Sequence, residues 1–276
     1  MSTKLILVEG LPGSGKTTLA KRIHQELSNA DAPSTVYLEG DLSHPADYDG
    51  MAYFLADEFK HLKICHGKSQ TILEEIKKPF EEGYMIPYRK ILQDKTACFS
   101  EELLKEIFEK DVYELPLELH MQLIRKRWEE FVQSHQKQNE IIIFECCFIQ
   151  NPVTVTMIRD NASYSLTKDY ILQLAKIIQP LEPILIYLEP VDLKASFERI
   201  VKERPKSWYE GFEQYYTKRG FGHDFGLSGL CGVMEVLKER LKIEREIFIT
   251  LEMEKHWIKN TFNDKNLPLK ITDFIF

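Results

Sequence analysis

The sequence reads Val8-Glu9-Gly10-Leu11-Pro12-Gly13-Ser14-Gly15-Lys16-Thr17-Thr18 near the start of a 276-residue chain. From Gly10 to Thr17 this segment fits the pattern G-x-x-x-x-G-K-[ST]. Residues 4–8 before it form an apolar run with β-branched side chains, which is typical of a buried strand. Residues 16–27 after it carry apolar side chains at helical spacing. A strand, a glycine-rich turn and a helix in this order predict a loop that binds phosphate groups.

The residue types in the loop predict how it would hold a nucleotide. Its glycines permit backbone angles and close approaches that a β-carbon would forbid. Successive N–H groups and the start of the following helix attract a polyanion. We expect Lys16 to contact the β- and γ-phosphates of ATP and Thr17 to coordinate Mg²⁺. The predicted nucleotide-binding residues are Gly10, Pro12, Gly13, Ser14, Gly15, Lys16, Thr17 and Thr18.

Further strands and helices alternate along the chain and predict an α/β fold with parallel strands. Apolar runs at residues 35–38, 140–144 and 184–188 are typical of buried strands, and a last strand or helix is expected within 258–276. The sequence divides into a nucleotide-binding core, residues 1–46 and 139–276, and a mostly helical insertion, residues 47–138, that binds the acceptor. Glycine, aromatic and basic residues after residue 204 indicate a mobile segment, with a lid near 199–230.

Acidic residues follow two of the predicted strands, at the edge where the phosphate loop lies. Glu145 ends the run Ile-Ile-Ile-Phe and is the candidate magnesium residue. Glu39 and Asp41 follow the second strand, and either could accept the proton of an acceptor hydroxyl. Asp41 could equally cap the next turn. For Glu9, just before the loop, the sequence does not distinguish a structural role from a substrate-binding role.

Two arginines at the end of a predicted helix are candidates for the catalytic charge. Arg199 and Arg204 could neutralise a transferring phosphoryl group. Cations at a helix end also interact favourably with its dipole, which is the simpler explanation.

The loop segment resembles the opening of thymidylate-kinase-like P-loop kinases. Ile186-Tyr187-Leu188-Glu189-Pro190, followed by Arg199 and Arg204, is similar to the fourth strand and lid of that group. The resemblance implies a three-layer sandwich with a five-stranded parallel sheet, ATP as phosphoryl donor and a helical region that receives the acceptor. The chain departs from the group after Glu145, where Cys146 stands in place of an arginine that helps to hold phosphates. Four residues could instead hydrogen-bond to or stack against an uncharged acceptor, namely Gln150, Asn151, Tyr48 and Tyr53.

Composition limits the function classes. A net charge of −7 argues against a nucleic-acid partner, and no apolar run is long enough for a membrane helix. The five cysteines form no metal-binding spacing and are typical of reduced thiols in the cytoplasm. The leading hypothesis is a small-molecule kinase acting on a nucleoside, nucleotide, metabolite or antibiotic. The alternative is a P-loop ATPase or nucleotide-dependent switch that acts through a protein partner, and the sequence leaves a homodimer open.

Overall fold

The computed structural model describes residues 4–93 and 99–260. The strands are β1 (Leu5–Gly10), β2 (Ser34–Tyr37), β3 (Ala52–Leu55), β4 (Lys78–Phe80), β5 (Gly83–Ile86), β6 (Ile141–Glu145), β7 (Ile184–Pro190) and β8 (Glu254–Asn260). The α-helices are α1 (Lys16–Asn29), α2 (Ala56–Cys65), α3 (Gln70–Ile76), α4 (Tyr88–Gln93), α5 (Glu101–Glu109), α6 (Leu117–His135), α7 (Gln150–Val153), α8 (Tyr164–Ile178), α9 (Leu193–Glu203), α10 (Lys206–Lys218), α11 (Gly220–Asp224) and α12 (Gly229–Thr250). Two short 3₁₀ turns lie at Gly67–Ser69 and Gln179–Leu181, and a π-helical turn lies at Thr154–Arg159.

The chain divides into two compact units. The first unit consists of the residues up to Glu39 and those from Trp128 onward, and the second is Gly40–Arg127. The sequence analysis expected the insertion at 47–138.

The first unit is built on a five-stranded parallel sheet in the order β2-β6-β1-β7-β8. β1 is central and buried along its whole length. Helix α1 packs Leu19 and Ile23 on one face of the sheet, and α12 contacts the other face, where Phe248 meets Tyr187. The predicted three-layer α/β architecture with a five-stranded parallel sheet is confirmed.

The register of this sheet brings the predicted functional residues to one edge. Val8 on β1 pairs with Glu145 on β6, and Gly10 pairs with Leu188 on β7. Because the strands are parallel, the loops that follow them leave from the same edge.

The second unit contains three strands that the sequence analysis missed. β3, β5 and β4 form a small antiparallel sheet in that order. Each strand has three or four residues, and such short runs carry no usable periodicity. Hydrogen bonding between the paired strands stabilises the extended conformation of these short segments. The helix prediction holds for α2 to α5, and the Ser100 side chain caps α5 by accepting from Leu103 N at 3.2 Å.

The segment after residue 204, which the sequence analysis expected to be mobile, forms α10, α11 and the start of α12. At least one of its glycines serves close packing, since a β-carbon at Gly222 would lie 2.0 Å from the Tyr216 carbonyl oxygen. At the carboxyl end, α12 continues to Thr250 and β8 begins at Glu254. The strand or helix expected within 258–276 falls mostly outside the described residues. None of the described helices is both long and apolar enough to span a membrane.

Candidate active site

The phosphate loop joins the end of β1 to the start of α1, as predicted. Gly10 has φ 142°, and a β-carbon there would lie 2.3 Å from the Leu188 carbonyl oxygen. Gly13 has φ 77°, and its β-carbon would lie 2.3 Å from Ile200 Cδ1. Helix α1 starts after Gly15 without a side-chain cap, so its first N–H groups point toward the loop. This geometry suits a bound polyanion.

Lys16 is buried at the centre of the loop. Its Nζ donates to the Leu11 carbonyl oxygen at 3.0 Å, which folds the side chain back over the loop. Burial opposes its charge, but the carboxylates around it, among them Glu39 and Glu145, raise the pKa of Lys16 above its usual value. The ammonium group therefore stays protonated and can contact phosphate oxygens.

Thr17 and Glu145 are directly paired. Thr17 Oγ1 donates to Glu145 Oε1 at 2.6 Å. The ligand atoms of Glu39, Glu145 and Cys146 lie within 4.8 Å of one another, and Glu39 N lies 3.4 Å from Glu145 Oε2. A hydroxyl and two carboxylates supply the oxygen ligands that Mg²⁺ prefers, whereas a thiol does not suit it.

Cys146 directly follows Glu145 at the end of β6. It is fully buried, has φ 73°, and its Sγ lies 3.5 Å from Glu39 Oε2. Burial raises the pKa of its thiol well above the usual value, so it carries no charge at neutral pH. The position therefore contributes neither a cation nor a magnesium ligand.

Glu9 fixes the turn that follows β6. It is 1% exposed, and its two carboxylate oxygens accept from Phe148 N at 2.8 Å and Gln150 N at 2.9 Å. Burial raises the pKa of Glu9 to about 7, although these backbone N–H groups lower it. The residue has a structural role in this arrangement.

Arg199 and Arg204 flank the loop from α9. Arg199 Nη2 donates to the Gly13 carbonyl oxygen at 3.2 Å. Arg204 is exposed and ends α9 just before Pro205, which cannot continue the helix.

A cavity of about 660 Å³ lies within the first unit, and we call it the loop cavity. It brings together most of the residues that the sequence predicted. They are Pro12, Gly13, Gly15, Lys16, Thr17, Thr18, Glu39, Glu145, Arg199 and Arg204.

Asp41 does not line the loop cavity. Its Oδ1 accepts from Ser43 N at 2.8 Å and Ser43 Oγ at 2.6 Å, so Asp41 caps a turn.

One wall of the loop cavity is aromatic, and the sequence analysis missed it. Trp208, Phe212 and Tyr216 lie four residues apart on α10 and all line the cavity. The rings of Phe212 and Tyr216 stack at 3.9 Å between centroids. Their i, i+4, i+8 spacing was visible in the sequence but did not distinguish a cavity wall from core packing. Gln150, Asn151 and Thr154 line the cavity beside this wall.

Comparisons with known proteins add the following. No protein-family model matches the sequence, and no curated protein matches it. Thymidylate kinase from Candida albicans is similar in structure with a TM-score of 0.44 and 13% identity, over 99% of this chain and 91% of that chain. A candidate kinase from Chloroflexus aurantiacus is similar with a TM-score of 0.39 and 13% identity, over 99% of this chain and 94% of that chain. The P-loop kinase-like fold assigned here rests on the strand order and on the loop between β1 and α1.

Proposed function

We propose that this protein is an ATP-dependent phosphotransferase that moves the γ-phosphoryl group to a hydroxyl of a small molecule. The observation that carries the proposal is the loop cavity. It is lined by the loop lysine, the Thr17–Glu145 pair, a second carboxylate and two arginines. Phosphoryl transfer depends mainly on positioning and on charge stabilisation, and these groups can supply both.

The loop and its neighbours would bind Mg·ATP. The N–H groups at the start of α1 and the Lys16 ammonium group would contact phosphate oxygens. Thr17 and Glu145 carry the oxygen atoms that would hold Mg²⁺, and the metal would offset the negative charge of the phosphates. Arg199, already against the loop through Gly13, would neutralise charge on the transferring group.

Glu39 is the proposed general base. In the transfer step the acceptor oxygen forms a bond to the γ-phosphorus, and the bond between that phosphorus and the bridging oxygen of ADP breaks. The hydroxyl proton passes to the Glu39 carboxylate. Glu39 is exposed and lines the loop cavity, whereas the Asp41 carboxylate is used by Ser43.

The proposed acceptor group is a hydroxyl rather than a phosphate. Cys146 stands in the position of the phosphate-holding arginine, and its buried thiol is neutral. The Gln150 amide donates to Glu39, and the Asn151 amide and the Thr154 hydroxyl line the same cavity. Neutral hydrogen-bonding groups of this kind suit an uncharged acceptor.

A transfer assay tests the proposal. Purified protein would be incubated with γ-labelled ATP, Mg²⁺ and a panel of glycerol, D-ribose, uridine, thymidine, thymidine monophosphate and an aminoglycoside. We expect label on at least one hydroxyl compound and none with Lys16→Ala. Lys21→Ala, an exposed lysine on the same helix, is the matched control and should retain activity.

Two outcomes would contradict the proposal. The first is an absence of label on any acceptor together with slow ATP hydrolysis that no acceptor changes, as expected of a nucleotide-dependent switch. The second is an absence of binding heat with millimolar Mg·ATP in calorimetry, which would remove nucleotide binding as well.

A further inference from the structure

Arg240 lies on α12 behind the wall of the loop cavity and is fully buried. Its Nη1 donates to Thr154 Oγ1 at 3.1 Å and to the Tyr216 hydroxyl at 2.8 Å. Its Nη2 donates to the Gln150 carbonyl oxygen at 3.0 Å. All three recipients line the loop cavity. One guanidinium group therefore joins the three elements that meet at this wall.

The charge of Arg240 is balanced within the core. Its Nε donates to Glu244 Oε1 at 2.7 Å, and Glu244 is also fully buried. Glu244 accepts a second hydrogen bond from the Tyr187 hydroxyl. These bonds hold the planar guanidinium in one orientation. The guanidinium in turn holds the Tyr216 hydroxyl, the Thr154 hydroxyl and the Gln150 carbonyl in place.

This arrangement determines the direction of the Tyr216 hydroxyl proton. Arginine can only donate, so the Tyr216 oxygen must accept from Arg240. Over residues 4–93 and 99–260, that is the one hydrogen bond that the structure gives the Tyr216 hydroxyl. Burial raises the pKa of Tyr216, and Arg240 offsets only part of the rise. The phenol is therefore neutral and keeps a proton for another partner.

Gln150, which also contacts Arg240, has an amide oxygen that can accept a hydrogen bond. Its Nε2 donates to Glu39 Oε1 at 3.0 Å, and a carboxylate can only accept, so the amide oxygen faces the other way. Gln150 is 7% exposed, and its Oε1 is buried without a hydrogen-bond partner among the described residues. Buried polar atoms without partners are uncommon and often indicate a bound molecule or a functional role.

The backbone at this wall is also unusual. Thr154, which accepts from Arg240, begins the π-helical turn Thr154–Arg159. Such turns are rare and occur frequently at functional sites. Thr154 Oγ1 also donates to the Gln150 carbonyl oxygen at 2.7 Å, so both cavity-facing residues are tied to the same turn.

We propose that Tyr216 binds the phosphoryl acceptor by donating its hydroxyl proton to an oxygen next to the reactive hydroxyl, and that Arg240 is the positioning residue that directs this proton. The inference rests on the proposed kinase function. A neighbouring oxygen fits better than the reactive one, because donation to the nucleophile would draw electron density away from it. The acceptor class is therefore a compound with at least two hydroxyl groups close together.

The test compares Tyr216→Phe with Tyr215→Phe. Tyr215 is the next residue on α10 and does not line the loop cavity. With an acceptor that the wild-type protein phosphorylates, we expect Tyr216→Phe to lower kcat/KM for that acceptor about 10- to 100-fold. The Kd for Mg·ATP should change less than about twofold, since ATP is not the partner lost. Tyr215→Phe should leave both values near those of the wild type.

A second arm uses analogues that lack one hydroxyl group beside the reactive one. Glycerol is paired with the compound lacking its central hydroxyl, and uridine with the compound lacking the neighbouring ribose hydroxyl. We expect the wild-type protein to prefer the complete acceptor and Tyr216→Phe to lose most of that preference. Arg240→Lys should lower the same kcat/KM, and its effect should not add to that of Tyr216→Phe. The comparison of analogues uses only the wild type and Tyr216→Phe, so it does not depend on whether an Arg240 variant folds.

The possible failures are distinguishable. Transfer by the wild-type protein with an unchanged kcat/KM in Tyr216→Phe would overturn this inference and leave the kinase proposal intact. Equal use of both members of an analogue pair would do the same. A lower melting temperature of Tyr216→Phe without an acceptor-specific effect would show a packing role only. No transfer to any acceptor by the wild-type protein would remove the proposed function, and this inference with it.

Discussion

Thr17 Oγ1 donates a 2.6 Å hydrogen bond to Glu145 Oε1, although the two residues are 128 positions apart in the sequence. The bond joins the first turn of α1 to the end of β6. Val8, at the end of the apolar run before the loop, pairs with Glu145 in the parallel sheet. The sheet register therefore places a carboxylate beside the hydroxyl that follows the loop lysine, which is the arrangement that a magnesium–triphosphate complex requires.

Removal of the Glu145 charge should weaken magnesium binding. Glu145→Gln keeps the size of the side chain and can still accept from Thr17, but it offers Mg²⁺ a neutral oxygen. We expect the Mg²⁺ concentration for half-maximal transfer to rise at least about tenfold and kcat to fall about 100-fold. A magnesium titration of the transfer rate measures both. Glu140→Gln, just before the other end of β6, is the control, and an equal effect there would contradict a local role for Glu145.

The loss of Arg204 should slow transfer without weakening ATP binding. Arg204 lines the loop cavity, and its charge would act mainly in the transition state. Arg204→Ala should lower kcat by a factor of about 100 or more, with Kd for Mg·ATP changed less than about twofold. Lys202→Ala removes an exposed cation from the same helix and is the control. A wild-type rate in Arg204→Ala would exclude Arg204 from the reaction.

Glu9 should make the protein less stable as the pH rises through the range between its two pKa values. Its pKa is about 7 in the folded protein and near 4.5 in the unfolded chain, so the folded state holds the proton more tightly. The contribution of Glu9 to the free energy of unfolding therefore falls between these pH values, by an amount on the order of 3 kcal/mol. In Glu9→Gln this contribution is absent.

Urea unfolding of the wild type and Glu9→Gln at pH 5 and pH 8 measures this effect. The difference in the free energy of unfolding between the two proteins should shift in favour of the variant at the higher pH. Glu9→Gln can still be less stable at both values, because an amide N–H group would face a backbone N–H donor. A difference that does not change with pH would show that Glu9 titrates normally.

Replacing only one residue of the buried Arg240–Glu244 pair should lower the free energy of unfolding more than replacing both residues with apolar ones. Arg240→Met leaves the Glu244 carboxylate buried without its cation, and we expect a loss of about 3–5 kcal/mol in the free energy of unfolding. Arg240→Met combined with Glu244→Leu removes both charges and should recover part of that loss. Denaturant unfolding of the three proteins is the measurement, and a double variant less stable than Arg240→Met would contradict this account.

The sequence predicted two parts of the site: the phosphate loop, whose residues are consecutive, and the acidic residues at the ends of parallel strands. The phosphate loop needs only contiguous residues, and Glu39 and Glu145 were found because parallel strands end at one edge. For Asp41 the sequence left a catalytic role and a capping role open, and in the structure its carboxylate accepts from Ser43. The helical pattern at residues 234–246 predicted the central part of α12, but α10 and α11 were missed because the segment is rich in glycine, and some of these glycines serve close packing, as at Gly222.

The sequence by itself determined the phosphate loop, because eight consecutive residues specify the backbone angles, the open N–H groups and the ammonium group that a polyphosphate needs. Tertiary structure determined the wall of the loop cavity where Arg240 joins Gln150, Thr154 and Tyr216. Arg240 reaches Thr154 across 86 positions, and no local pattern distinguishes it from other arginines on an amphipathic helix. Contacts between distant elements depend on how whole helices pack against the sheet, and a short sequence pattern does not encode that packing.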